Sequence, residues 1–172
     1  MKVTVGLGSN LGDSHGLLKR AAEAVLAQDP TARFSSLYRT APQGGPPQPD
    51  YLNAVVQWET DWDLPTLWAF CRGLEAEAGR VRTVRFGPRT LDVDILCYGR
   101  HLTEKPPVIL PHPRMKDRRF VLEPLTEIDP ECRVPPDDTP VLTLLRRVLN
   151  QEVQRLPPWE VFPRNTGRSS NS

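Results

Sequence analysis

Apolar side chains alternate over residues 2–7 (KVTVGL), the period of a strand with one buried face, and the GSNLGD that follows turns the chain. Asp13 or Ser14 can cap a helix reaching to about residue 28, because Leu17, Leu18, Ala21, Ala22, Val25 and Leu26 recur at helical spacing. Residues 34–39 and 51–60 read as a second and a third strand, with a loop rich in proline and glycine between them. Asp63 then opens a second helix over residues 64–78, with Leu67, Phe70, Cys71, Leu74 and Ala78 along one side and Gly79 as its stop. An arginine-rich loop leads into a fourth strand over residues 92–98.

Strand, helix, strand, strand, helix, strand is the split pattern of a ferredoxin-like, antiparallel sheet. Beyond it, a segment at residues 108–110, a helical stretch at residues 120–125 and a last helix over residues 141–153 are expected to extend the sheet and add a helical layer. The expected fold class is therefore α+β, a ferredoxin-like sheet with helices on both sides in a three-layer αβα arrangement. Residues 1–162 form one domain in this reading, and residues 163–172 (PRNTGRSSNS) form a flexible tail.

Composition narrows the class. A chain of 172 residues suits one domain with a real core, and a net charge of +1 offers no bulk field for nucleic acid or a membrane surface. Cys71, Cys97 and Cys132 are odd in number and widely spaced, which suits reduced packing thiols better than a disulfide frame or a zinc site. The first ten residues are too short in apolar run for a signal peptide, so a soluble, cytoplasmic protein is expected. The prolines cluster in PQGGPPQP and EKPPVILPHP, which marks stiff ordered loops.

Chemistry enters at RFGPRTLDVDIL. Leu91, Val93 and Ile95 point to one side of the strand and Asp92 and Asp94 to the other, with stems ~6–7 Å apart. Such a pair is either a solvated acidic face or a Mg²⁺ site, since that hard cation takes carboxylate oxygens and completes its shell with water and phosphate. No standard phosphate loop competes: GLGSNLG has the wrong spacing for a dinucleotide turn, and no Walker motif occurs. Arg80, Arg82, Arg85 and Arg89 precede the aspartates, and HPRMKDRRF follows with more basic groups. Surface pairing with Asp92 and Asp94 would occupy one or two of these arginines, whereas phosphate binding uses them all.

Together VGLGSNLGD, SLYRTAP with PDYLNAV, GRVRTVRFGPRTLDVDIL and LPHPRMKDRRFVLEPLTEI resemble the 6-hydroxymethyl-7,8-dihydropterin pyrophosphokinases of folate biosynthesis, over most of residues 1–130. The resemblance implies the ferredoxin-like fold and transfer of a pyrophosphoryl group from ATP to the pterin hydroxymethyl oxygen, with attack on the β-phosphorus and release of AMP. It implies two Mg²⁺ ions on Asp92 and Asp94, with Arg80 and Arg89 stabilising the transferring group. It places Glu75, Arg82, Arg89, Ile95, His112 and Arg118 at positions that contact ATP. Gly8, Thr40, Tyr51, Asn53, Phe86 and Phe120 match the pterin contacts, the two phenylalanines sandwiching the ring. Phe86 and Pro113 stand where some members carry Trp and another aromatic, Arg72 where a neutral polar residue is familiar, and the loop before Phe86 is one residue shorter. A monomer is expected.

Taken singly, the bland alternatives stay open: Phe120 and Tyr51 as core aromatics, His112 as partner of a loop carbonyl, Gly8 as a turn residue. Asn53 says more, because an amide within an apolar strand needs partners. Two rival functions are weighed. A nucleotide-sugar transferase with a D-x-D pair needs a larger, doubly wound domain. A ferredoxin-like module for single-stranded RNA needs a basic, aromatic sheet face, where this one carries aspartates.

Overall fold

The computed structural model describes residues 1–79 and 89–159. β1 (Lys2–Ser9) buries Val3, Val5 and Leu7 on one face. α1 (Ser14–Gln28) starts at Asp13, whose carboxylate accepts the Gly16 amide at 3.1 Å. β2 (Arg33–Phe34), β3 (Tyr38–Thr40) and β4 (Tyr51–Glu59) follow. α2 (Leu64–Glu77) is capped by Asp63, which accepts the Thr66 amide at 2.9 Å, and β5 (Asp92–Tyr98) ends the repeat.

The expected second strand is two strands. Arg33 lies opposite Gln57 and Tyr38 opposite Asn53, so one chain advances five residues while β4 advances four. The extra residue is a bulge, held from outside the sheet by Glu127. That carboxylate accepts the Ser36 amide at 3.0 Å, the Ser36 hydroxyl at 2.7 Å, the Tyr38 hydroxyl at 2.6 Å and an Arg155 N–H at 3.0 Å.

The sheet runs β5-β1-β4-β3 with every pair antiparallel, the ferredoxin-like order expected. After β5 come a 3₁₀ turn at Met115–Asp117, α3 (Arg119–Ile128), the hairpin of β6 (Arg133–Val134) and β7 (Thr139–Pro140), α4 (Val141–Arg146) and β8 (Gln154–Arg155). β8 pairs with β3 and widens the sheet to six strands, counting β2. Residues 108–110 contribute only a bridge between Thr103 and Leu110. The last helix stops seven residues before the expected end at 153. Arg119 captures the carbonyls of Leu149 and Gln151 at 2.8 and 2.7 Å, and these tertiary bonds draw the chain out of helical register.

Two cores sandwich the sheet. Val3, Val5 and Leu7 of β1, Val56 and Trp58 of β4, and Val93 and Ile95 of β5 pack with Leu18 and Val25 of α1 and Leu67 and Cys71 of α2. On the other face Val55, Leu96 and Cys97 meet Val121, Leu122 and Leu125 of α3 and Val141 and Leu144 of α4. The three-layer expectation holds. Burial pushes the Cys71 and Cys97 thiols up to about 12, in keeping with packing residues.

Candidate active site

The second face is not packed along its whole length. In register, Asp92 lies opposite Gly8 and Asp94 opposite Gly6, while Gly8 and Gly6 lie opposite Asn53 and Val55 on the other side of β1. The central strand thus presents two hydrogens where side chains would stand, between two carboxylates and an amide. A cavity of about 330 Å³ opens above this floor.

Gly8, Thr40, Tyr51, Asn53, Arg89, Asp92, Asp94, His112, Arg118 and Phe120, all anticipated above, line it. Arg80, Arg82 and Phe86 lie outside the described residues, as does Arg85. Glu75 and Ile95 are placed elsewhere. The Ile95 side chain is in the core shared with α1 and α2, because it has the opposite parity from Asp94. Glu75, 4% exposed, accepts the Val93 amide at 3.0 Å and pairs with Arg72 at 2.8 Å, while Arg72 also donates to the Val93 carbonyl. β5 is an edge strand, and these two α2 residues satisfy its outward backbone groups beneath the aspartates. Pro113, Arg114, Gln43 and Gln48 also line the cavity. The sequence placed Arg114 in a basic segment without giving it a partner, and it marked the glutamines only as members of a loop.

One wall is polar and aromatic. Asn53 donates to the Thr40 hydroxyl at 2.7 Å, which fixes its amide so that Oδ1 faces the glycine floor. A Cβ on Gly8 would stand 3.1 Å from that oxygen, 3.8 Å from the Tyr51 ring and 3.9 Å from the Asp92 Cβ. The Arg118 guanidinium lies 5.3 Å from the Phe120 ring centre, a cation–π contact that steadies both.

The other wall is charged. Arg89 reaches Asp92 at 3.2 Å. Burial, then the carboxylates of Asp92 and Glu75, push Asp94 up to about 7, against the pull of Arg72 and Arg118. Asp92 and Asp94 are the side chains here whose chemistry suits a divalent cation. Among the described residues no group of three His, Cys, Asp or Glu forms a metal cage. Burial, then Arg118, lower His112 to about 4, leaving a neutral ring. Its Nδ1 accepts the Arg114 amide at 3.2 Å, so Nε2 carries the proton and is a donor.

A floor without side chains, paired carboxylates and arginines on one side, and an amide with aromatic rings on the other suit a flat heterocycle beside a polyphosphate. The model of the 7,8-dihydro-6-hydroxymethylpterin-pyrophosphokinase family matches residues 4–130. The chain belongs to this family. It is 40% identical over 161 residues to the 2-amino-4-hydroxy-6-hydroxymethyldihydropteridine pyrophosphokinase of Synechocystis sp., spanning 92% of this chain and 80% of the relative. The enzyme of that name from Pseudomonas aeruginosa is 37% identical over 158 residues, 91% of this chain and 97% of its own. The Plasmodium falciparum HPPK-DHPS A437G crystal structure with pteroate superposes with a TM-score of 0.65 at 12% identity, over 87% of this chain and 43% of that one, a likeness of fold. Pyrophosphoryl transfer from ATP to hydroxymethyldihydropterin, in folate biosynthesis, is the reaction of the family, and the chain is an ATP-dependent diphosphokinase.

Proposed function

We propose that this cavity is where the transfer occurs, with Asp92 and Asp94 holding two Mg²⁺ ions and Asn53 orienting the pterin. The observation that carries the reading is the register of β1, which sets Asp92 and Asp94 against Gly8 and Gly6 and Gly8 against Asn53. When bound, magnesium would be held by Asp92 and Asp94 and would neutralise charge on the triphosphate.

The chain's own groups do the positioning. Asn53 Oδ1, the Thr40 hydroxyl and Tyr51 meet the pterin edge, while Phe120 and, by resemblance, Phe86 hold its faces. Arg118, the neutral His112 Nε2–H and, by resemblance, Arg82 donate to phosphate oxygens of ATP, and Arg89, with Arg80 by resemblance, takes up charge on the transferring group. The hydroxymethyl oxygen bonds to the β-phosphorus as its bond to the α-bridging oxygen breaks. AMP leaves with that electron pair, and the hydroxyl proton passes to solvent. Alignment and charge stabilisation supply the acceleration without a strong base. Glu75 and Arg72 contribute by holding β5, and Ile95 by packing beneath it. Both substrates are small and water-soluble, and on that ground we place the enzyme in the cytoplasm. No helix among the described residues is long and apolar enough to cross a membrane.

Phosphorus NMR of the protein with MgATP and 6-hydroxymethyl-7,8-dihydropterin tests this. AMP and a pterin diphosphate are expected, with turnover lowered at least ~100-fold in Asp92→Asn and Asp94→Asn. ADP as the product, or full activity in both variants, overturns the assignment.

A further inference from the structure

Four basic side chains follow His112 in PRMKDRR, and the fold sends them in different directions. Met115 is buried, with Sδ 3.8 Å from the Cys97 Sγ, and so pins the 3₁₀ turn Met115–Asp117 to β5. Lys116 pairs with Asp137 at 3.2 Å, and Arg119 binds the Leu149 and Gln151 carbonyls. Arg114 and Arg118, on either side of the turn, line the cavity, with Arg114 exposed at its rim. Burial and then the Arg114 charge lower Arg118 below its ordinary range, and Arg114 adds to the burial and the Arg118 charge that keep His112 neutral. Cations gathered in this way repel one another, and an anion among them relieves the repulsion.

The run of the cavity along β5 identifies that anion. The strand passes Asp92 opposite Gly8, then Asp94 opposite Gly6, then Leu96, whose carbonyl accepts the His112 amide at 2.8 Å. Asn53 and its Thr40 partner stand at the Asp92 end, while Arg114, whose amide donates to His112 Nδ1, belongs to the Leu96 end. In an in-line displacement the attacking and leaving oxygens lie on opposite sides of the phosphorus. With the pterin at the Asp92 end, the leaving AMP lies towards Leu96. We propose that Arg114 binds the α-phosphate of the nucleotide and holds the AMP that leaves. This rests on the pyrophosphoryl-transfer reading above and adds the residue that grips the leaving group. As the bond from the β-phosphorus to the α-bridging oxygen breaks, its electron pair stays with AMP, and the Arg114 guanidinium donates to the oxygens on which that charge grows.

Calorimetry separates the parts of the nucleotide. Dissociation constants are determined for AMP, magnesium pyrophosphate, magnesium α,β-methylene-ATP and 6-hydroxymethyl-7,8-dihydropterin, each alone, with the unmodified protein, Arg114→Met and Arg114→Lys. Arg114→Met is expected to weaken AMP and the ATP analogue about 5- to 20-fold and to leave pyrophosphate and the pterin within about twofold. Arg114→Lys is expected to recover part of that loss, since an ammonium keeps the charge without the planar fork. A loss of pyrophosphate affinity in place of AMP affinity assigns Arg114 to the transferring group and overturns the proposal. So does AMP affinity that is unchanged in Arg114→Met or absent in the unmodified protein. An equal loss for all four ligands marks a role in the fold alone and overturns it too. AMP formation by the unmodified protein is followed in parallel: its absence overturns the reaction itself, whereas AMP formation with unchanged AMP affinity in the variants overturns only the role of Arg114.

Discussion

At the scale of single residues, the site is built from what is missing as much as from what is present. Gly8 has an open face towards Asn53, Tyr51 and Asp92, and a methyl there would stand at 3.1 Å from the Asn53 oxygen, inside ordinary contact. Gly8→Ala is expected to raise the KM for the pterin ~10-fold or more through lost space and a displaced amide, with nucleotide affinity changed less than ~2-fold, as steady-state kinetics and calorimetry can read. Asp94 carries the opposite cost. An unfolded aspartate titrates near ~3.9, whereas burial and the neighbouring carboxylates keep Asp94 protonated up to about 7. With a raised folded value, protonation stabilises the metal-free native state. That stabilisation is complete below pH ~4 and gone once pH passes 7. Asp94→Asn is therefore expected to raise the stability of the metal-free protein by ~1–3 kcal/mol at pH 8, a gain that fades towards pH 4, while turnover is lost. Urea unfolding in a chelating buffer across that pH range checks the sign. Asp92 and Asp94 were legible in the sequence because strand alternation alone puts them on one face. Asn10 was legible only as part of a turn, since its partners lie 38, 39 and 79 positions away.

At the scale of elements, periodicity located β1, α1, β4, α2 and β5 to within a few residues, because each has one apolar face and a cap or turn at its ends. It failed at the second strand. Residues 34–39 carry no local signal for a bulge, which exists because Glu127, about ninety residues on, supplies a carboxylate to Ser36 and Tyr38. Those contacts also push the Tyr38 hydroxyl well above its usual range, burial first and the Glu127 bond next. Glu127→Ala leaves four donors without their acceptor, and a loss of ~2–4 kcal/mol in chemical denaturation is expected. β3 carries Thr40 to the cavity and pairs with Asn53, so a looser pterin site should accompany the lost stability. The last helix failed for a related reason: Arg119 takes the Leu149 carbonyl, which a helix reaching residue 153 would have used, and the Gln151 carbonyl beyond it.

At the scale of the whole molecule, the added C-terminal strand closes what the ferredoxin-like repeat leaves open. β8 pairs with β3, the Leu156 amide donates to the Leu37 carbonyl at 2.9 Å, and Trp159 Nε1 donates to the Ser35 carbonyl at 2.8 Å while its ring meets Phe34 edge-on. A chain ended after Gln151 is expected to lose ~2–4 kcal/mol and to associate at high concentration through the bared edge of β3, with ATP affinity retained because the nucleotide side lies across the sheet at β5. Thermal melts and light scattering over a concentration series would register both effects. The sequence by itself determined the order of the ferredoxin-like repeat up to β5 and the alternation that puts Asp92 and Asp94 on one face of that strand, since alternation and caps are local properties of the chain. Only the tertiary structure decided which polar groups do the holding. Asn10 between two loops, Glu127 under the bulge, and Glu75 with Arg72 on the edge of β5 each answer a buried backbone group far away in sequence. Such partners are chosen by desolvation in the folded state, where an unmet hydrogen bond costs most.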